Sequence, residues 1–270
     1  MKVILITGAS GGIGFATAKR LVRAGHTVYG TTRSYDHFPK LKQSGIIPMK
    51  MDVTNPDDIN RGVQEVIADQ SRLDVLINNA GYGSYGTIEN VPMSEVKKQF
   101  EVNLFGVARL TKAVLPIMRH QKSGKIINIS SVGGRVVTYM GAWYHATKYA
   151  LEAFSDALRM EMAPFNIQVV LVEPGGIKTP WGVTAANHLM RAEENGPYHK
   201  QAFKVAKRMK KVYSSNLLSE PSVVAEAINK AIDRRNPKAR YLVGSGARSM
   251  ILMKDVLPTK IFDAVIKKIM

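Results

Sequence analysis

The chain has 270 residues, 45% of them hydrophobic, and it contains no cysteine. This length and composition predict a folded protein with a large core. The missing cysteine excludes disulfides, thiolate nucleophiles and cysteine-bound metals, and it fits a reducing compartment. The formal net charge is +17, and residues 188–270 hold 17 Lys and Arg against 7 Asp and Glu.

The basic residues are densest at 199–211, HKQAFKVAKRMKK. Such a segment is typical of proteins that bind nucleic acid, anionic lipid or an acidic substrate. It is also typical of a solvated helix face, which is the interpretation that we favour. No aromatic platform or helix-turn-helix pattern accompanies it, so we expect no nucleic-acid partner.

The apolar run at the start is too short for a signal peptide, and no stretch approaches the roughly 20 apolar residues of a membrane span. We therefore expect a soluble, cytoplasmic protein.

Apolar runs of strand length alternate with amphipathic segments of helix length. The predicted strands are 2–7, 26–32, 46–51, 73–79, 125–131, 167–173 and 240–243, and the predicted helices between them are about 12–24, 56–69, 94–120 and 144–163. Several strands are continuous Val, Ile and Leu runs, which indicate burial on both faces. We therefore predict an α/β fold with a doubly wound, Rossmann-like parallel sheet in one domain over 1–270. Pro116 should end or kink the third helix.

Two regions follow the predicted α/β core. Residues 182–235 look helical, with a break at 195–198, and we expect them to cover the carboxyl edge of the sheet as a substrate-binding region. The tail 249–270 is rich in Met and Lys and weakly amphipathic. We predict a packed C-terminal helix there, with weak membrane association through the basic C-terminal region, or a partner-binding helix, as the alternatives.

The first predicted strand leads into TGASGGIG, residues 7–14, and a helix follows. Gly8, Gly12 and Gly14 allow a tight turn and close backbone approach to a pyrophosphate on the helix N-terminus. At the first β–α junction, this pattern indicates dinucleotide binding. The second strand ends at Thr32 and Arg33 without a carboxylate. Arg33 suits a 2′-phosphate, which predicts NADP(H) over NAD(H), although Asp36 lies close enough to leave NAD open.

YHATK, residues 144–148, places Tyr144 and Lys148 one helical turn apart on the same face. A neighbouring ammonium favours the phenolate, so we expect Lys148 to lower the pKa of Tyr144 and make it a general acid/base.

With these motifs in order, the chain resembles the short-chain dehydrogenase/reductase family over about residues 3–180. The resemblance implies a seven-stranded sheet and a catalytic tetrad of Asn103, Ser131, Tyr144 and Lys148. In this scheme Ser131 binds the carbonyl oxygen, Tyr144 transfers the proton, Lys148 also holds the nicotinamide ribose, and Asn103 holds a water beside Lys148. The cofactor contacts it implies are Gly8, Ser10, Gly12, Ile13, Gly14, Arg33, Asp52, Val53, Asn79, Ala80, Gly81, Tyr144, Lys148, Pro174, Gly175, Ile177 and Thr179.

For the substrate we predict contacts from Ser131, Tyr144, Trp143 and Trp181, with Met140, Tyr82 and Val183 as further candidates. His145 lies on a different helix face from Tyr144, and we expect it either behind the site or in solvent. The six histidines show no metal-ligand spacing, so we predict no metal.

The resemblance also implies a homodimer or homotetramer assembled through the helices at 94–120 and 144–163. In the second of these, Ala150, Ala153 and Ala157 either permit close helix approach or pack on the sheet.

The predicted activity is NADP(H)-dependent hydride transfer between the nicotinamide and a carbonyl or secondary alcohol on a hydrophobic small molecule. Two alternatives remain: a non-enzymatic NADP sensor, and an epimerase or dehydratase of the extended branch of the family.

Overall fold

A computed structural model describes residues 1–269 of the chain. All seven predicted strands are present, as β1 Val3–Ile6, β2 Thr27–Thr32, β3 Ile47–Lys50, β4 Val75–Asn78, β5 Gly124–Ile129, β6 Ile167–Pro174 and β7 Arg240–Val243. They form one parallel sheet in the order β3-β2-β1-β4-β5-β6-β7. The strand order reverses between β1 and β4, and in such sheets the crevice beyond the carboxyl ends at this point is where ligands bind.

Helices cover both faces of the sheet. They are α1 Gly12–Arg23, α2 Phe38–Gln43, α3 Pro56–Gln70, α4 Met93–Phe100, α5 Gly106–Gln121, α6 Ala142–Met162, α7 Trp181–Ala192, α8 His199–Tyr213, α9 Pro221–Asp233, α10 Ala247–Val256 and α11 Thr259–Ile269. Alternate residues of β1 supply the two cores: Ile4 and Ile6 pack toward α1 and α9, and Leu5 packs toward α3, α5 and α6. This burial on both faces explains why the strands read as continuous apolar runs.

The predicted helix 94–120 is two helices joined by a π-helical turn, Glu101–Phe105. Such turns occur frequently at functional sites, and Asn103 is the buried residue of this one. Of the two outcomes predicted at Pro116, an end or a kink, the end was wrong, because α5 continues to Gln121. Pro116 lies on the exposed side, where water can reach the carbonyl that loses its hydrogen bond.

The region after β6 is helical as predicted, with the break between α7 and α8 at Glu193–Tyr198. The tail forms two helices instead of the one that we predicted. Leu257 is extended, as is usual for a residue before proline, and Pro258 therefore separates α10 from α11. None of the helices in residues 1–269 combines the length and apolarity needed to cross a membrane.

Candidate active site

The glycine turn between β1 and α1 makes a shallow cradle at the switch point. Gly8 and Gly12 have φ of +68° and +52°, which side-chain-bearing residues rarely adopt. At Gly14 a Cβ atom would overlap the carbonyl oxygen of Gly8, so only glycine fits there. Helix α1 begins after Gly11 with no side-chain cap, which leaves its first N–H groups facing the cradle. The N-terminal dipole and these donors suit a phosphate group.

The end of β4 holds this turn in place. The Asn79 side-chain amide donates to the backbone oxygens of Thr7 and Gly8, at 2.8 Å and 3.1 Å. The Thr7 hydroxyl in turn accepts from the backbone N–H groups of Asn79 and Ala80, at 3.0 Å and 2.9 Å. The two neighbouring strand ends are therefore tied together where the sheet order reverses.

A cavity of about 800 Å³ runs from the glycine turn across the carboxyl edge of the sheet to α8. It brings together nearly all of the predicted site residues, namely Gly8, Ser10, Gly12, Ile13, Gly14, Arg33, Asp52, Val53, Asn79, Ala80, Gly81, Ser131, Tyr144, Lys148, Pro174, Gly175, Ile177, Thr179 and Trp181. Asn103 and Trp143 do not line it. Of the further pocket candidates, Tyr82 lines the cavity, whereas Met140 and Val183 do not.

Tyr144 and Lys148 lie on the buried face of α6. The Lys148 ammonium donates to the backbone oxygen of Ile129 at 2.8 Å, which leaves further N–H groups for a ligand. Burial lowers the pKa of Lys148 to about 8, although Glu152 acts in the opposite direction.

The expected lowering of the Tyr144 pKa is wrong for this structure. Burial of the phenol raises its pKa above the ordinary value, and Tyr85 adds to the effect, whereas Ser131 acts in the opposite direction. Desolvation penalises the phenolate more than its surroundings favour it. The phenol is therefore a firmly protonated group.

Ser131 follows β5 and caps a short 3₁₀ turn. Its hydroxyl oxygen accepts from the Gly133 N–H at 3.0 Å, and the hydroxyl lies 3.5 Å from the Pro174 backbone oxygen. The bond from Gly133 fixes the side chain, and the long contact to Pro174 leaves the hydroxyl proton free to turn to a better acceptor.

Asn103 lies behind the cavity. Its side-chain oxygen accepts from the Tyr82 N–H at 3.1 Å, and its amide donates to the Tyr82 oxygen and the Thr147 hydroxyl at 2.9 Å and 3.1 Å. The Asn103 side chain thus joins the loop after β4 to α6. Its contact on α6 is Thr147, the residue before Lys148. Its predicted role in holding a water stays a prediction.

His145 is buried and does not face solvent. Its Nδ1 lies 2.9 Å from the Gly133 oxygen, and its Nε2 lies 3.0 Å from the Thr138 N–H, from which it accepts, and 2.8 Å from the Thr138 hydroxyl. A nitrogen that accepts from a backbone N–H is unprotonated, so Nδ1 carries the proton and donates to Gly133. Burial lowers the pKa of His145 to about 4. The ring thereby fixes the loop that carries Ser131.

An aromatic cluster surrounds the Tyr144 phenol. The Trp181 ring centre lies 5.0 Å from that of Tyr144, and the Tyr85 centre lies 5.9 Å from it. Tyr213 lies 6.0 Å from Trp181. Sequence reasoning missed Tyr85 and Tyr213, which reach the site only through the fold. Trp143 is directed elsewhere, because it precedes Tyr144 by one residue and is rotated by about 100° around the helix.

Arg33 lines the cavity beyond the end of β2, together with Ser34 and His37. Asp36 is absent from this lining, because its carboxylate accepts from the Ser34 hydroxyl at 2.7 Å in the turn after β2. The charge that faces the cavity from this loop is therefore positive.

Behind α6, a cluster of charged side chains joins the helix to β6 and β7. Arg240 Nε lies 3.1 Å from a carboxylate oxygen of Glu173 and 3.2 Å from one of Glu152, and its Nη2 lies 2.6 Å from Asp156. Glu173 is fully buried, and burial raises the pKa of both glutamates. Within residues 1–269, no three His, Asp or Glu side chains are grouped as metal ligands.

Residues 2–189 match the family model described as "short chain dehydrogenase". The chain belongs to this family.

Its relatives include an enzyme named 3-ketodihydrosphingosine reductase from Bacteroides thetaiotaomicron, 40% identical over 90% of this chain and 88% of the relative. Another, from Ornithobacterium rhinotracheale and named NADPH-dependent 3-dehydrocapnine reductase, is 32% identical over 100% of this chain and 99% of the relative. A solved short-chain dehydrogenase from Streptomyces avermitilis is 33% identical, covers 94% of this chain and 91% of its own, and superposes with a TM-score of 0.80. The protein is thus a short-chain oxidoreductase with the Rossmann-like, seven-stranded fold of its family.

Proposed function

We propose that this short-chain oxidoreductase uses NADPH to reduce the 3-keto group of a long-chain amphiphile to a secondary alcohol. The observation that carries the proposal is the shape and lining of the cavity. From Tyr144 it continues between α8, the loop after it and the C-terminal helices, and this part is lined mainly by the apolar side chains Met209, Val212, Tyr213, Leu218, Met250 and Ile269. Such a lining favours an alkyl chain over a polar substrate. The names of two relatives, both of which place a carbonyl at position 3, support the substrate class.

The preference for NADP(H) rests on the loop after β2. Arg33 faces the cavity, whereas Asp36 is held by Ser34 and does not. A guanidinium suits a 2′-phosphate, and an acidic residue in the same place would suit a free 2′-hydroxyl. A relative whose name includes NADPH dependence supports the same choice.

The residues present fit a dinucleotide. The glycine cradle and the uncapped start of α1 accept a pyrophosphate, and Lys148 has N–H groups left for ribose hydroxyls. When bound, NADPH supplies the hydride that reduces the carbonyl carbon.

The protein's own part in the reaction is to bind the carbonyl and deliver a proton. In the proposed reaction Ser131 donates to the carbonyl oxygen and stabilises the negative charge that develops there. Tyr144 donates its phenolic proton to the same oxygen, which completes the alcohol. The raised pKa of Tyr144 keeps that proton in place until the oxygen becomes basic. The rings of Tyr85 and Trp181 exclude water from the phenol.

The test compares NADPH and NADH oxidation with 3-ketodihydrosphingosine and with a short aliphatic ketone. We expect turnover with NADPH and the long-chain ketone. In Tyr144→Phe we expect kcat to fall by about 10²–10⁴-fold with NADPH binding retained, because this is what proton transfer by a positioned side chain typically contributes. Tyr149→Phe, at an exposed position on the same helix, is the matched control.

Three other outcomes would contradict parts of the proposal. A preference for NADH would refute the argument from Arg33. Preference for the short ketone would refute the substrate class. NADPH binding without turnover of any ketone would favour the sensor alternative.

We also propose that the chain forms a homodimer or homotetramer. Ala153 and Ala157 are exposed on α6, so they do not pack on the sheet, and Tyr149 and Met160 are 40% and 65% exposed on the same helix. Exposed apolar side chains on a long helix are typical of surfaces that pair in an oligomer.

A further inference from the structure

The basic segment of the sequence forms one stripe on α8. Lys200, Lys204, Lys207 and Lys211 are spaced by four, three and four residues, so they follow one face of the helix, and all four are exposed. The helix contains no acidic residue, and none of the four lysines takes part in an ion pair within residues 1–269. Four cations are therefore held side by side without partners in the described chain.

Exposed apolar side chains flank this stripe. Phe203 of α8 is 49% exposed, and Leu217, in the loop that follows, is 77% exposed. A solvated helix face, which we favoured from the sequence, does not account for large apolar groups beside the lysines. Lysines together with exposed aliphatic and aromatic groups are typical of helices that lie on an anionic bilayer.

The end of α11 continues the same surface. The Arg208 guanidinium of α8 donates to the backbone oxygen of Lys268 at 2.9 Å, which holds the two helices together. Lys267 and Lys268 are exposed, and Ile269 is 56% exposed. Ile269 and Arg208 also line the cavity, so the cavity opens between α8 and α11.

We call the following exposed residues of α8, α11 and the loop after α8 the docking surface: Lys200, Phe203, Lys204, Lys207, Lys211, Leu217, Lys267 and Lys268. We propose that the docking surface binds an anionic lipid bilayer, so that the mouth of the cavity faces the bilayer. Binding itself is independent of the proposed function, whereas entry of a long-chain ketone from the bilayer rests on it. Charge complementarity alone would also suit nucleic acid, but Leu217 and the apolar cavity mouth favour lipid.

The test is co-sedimentation of the full-length protein with phosphatidylcholine vesicles that contain or lack phosphatidylglycerol. We expect binding only to the anionic vesicles, weakened by added salt. The double variant Lys204→Gln/Lys207→Gln should bind about 30-fold more weakly, since each lysine near an anionic surface contributes ~1 kcal/mol, or about fivefold. Lys42→Gln/Lys230→Gln removes the same charge from exposed positions on α2 and α9 and should bind as the wild type does. Phe203→Ser tests the apolar contribution and should also weaken binding.

Equal loss of binding in the two double variants would overturn the proposal, because only total charge would then matter. Binding to duplex DNA or RNA without binding to anionic vesicles would overturn it in favour of nucleic acid. Sedimentation measures membrane binding without turnover, so it can support or refute docking even if the proposed function is wrong. Turnover of a short water-dispersed ketone measures catalysis without the membrane. In that assay the Lys204→Gln/Lys207→Gln variant should match the wild-type rate whether or not vesicles are present.

Discussion

Replacing His145 with Gln tests how the loop that carries Ser131 is held. The ring is 3% exposed, and its two nitrogens contact Gly133 and Thr138. Burial lowers its pKa from the ordinary 6.5 to about 4, so the unfolded chain binds a proton on this residue that the folded chain does not. The neutral His145 ring therefore makes its full contribution to the free energy of unfolding above pH 6.5, and this contribution is lost as the pH falls toward 4. The loss amounts to about 1.4 kcal/mol per pH unit, or ~3 kcal/mol in all.

The assay is urea unfolding of wild type and His145→Gln between pH 7.5 and pH 4. At pH 7.5 the variant should be less stable by ~1–3 kcal/mol, because buried polar partners lose a hydrogen bond. The wild type should lose ~3 kcal/mol more than the variant as the pH falls to 4, so the difference in free energy of unfolding should fall to zero or reverse its sign. His120→Gln, at an exposed position, is the control for the substitution itself. A difference that stays constant over this range would refute the assignment of a buried, neutral imidazole.

Three further predictions concern the charged cluster, the cofactor turn and the assembly. Arg240→Met should lower the free energy of unfolding at pH 7.5 by ~3–5 kcal/mol, measured in urea, because Glu152, nearly buried, loses its contact to Arg240 and buried Glu173 is left with the longer contact to Arg135, at 3.6 Å. Gly14→Ala should abolish NADPH binding, measured by quenching of protein fluorescence, because the new methyl group displaces Gly8 and the turn that holds the phosphates. Ala153→Arg should convert the oligomer into monomers in light scattering, without loss of NADPH binding; an unchanged mass would place the interface elsewhere.

Much of the fold could be predicted because it depends on local patterns. Strands buried on both faces must be continuously apolar, and all seven were found within two residues of their predicted bounds at both ends. The errors fall where the local signal is ambiguous. Pro116 lies on the exposed side of a helix that tolerates it, and nothing in a helical periodicity distinguishes the π-turn at Asn103 from an α-helix. The short helix α2 was missed altogether.

The site divides in the same way. Residues at strand ends and in the glycine turn were predicted because the carboxyl ends of parallel strands share one edge. Trp143 was predicted and does not line the cavity, whereas Tyr85 and Tyr213 were missed and do. Whether an aromatic side chain reaches the site depends on how α6, α7 and α8 pack, which no motif encodes.

By itself, the sequence determined the parallel sheet, the dinucleotide turn and the placement of Tyr144 and Lys148 on one face of α6, because periodicity and short spacings fix all three along the chain. Only the tertiary structure decided the protonation of the site. Residues far apart in sequence enclose Tyr144, Lys148 and His145, and the loss of water, more than any neighbouring charge, sets the direction in which each pKa moves. The tertiary structure also decided that the lysines of α8 lie beside the mouth of the cavity, because the mouth forms only where α8 and α11 pack together.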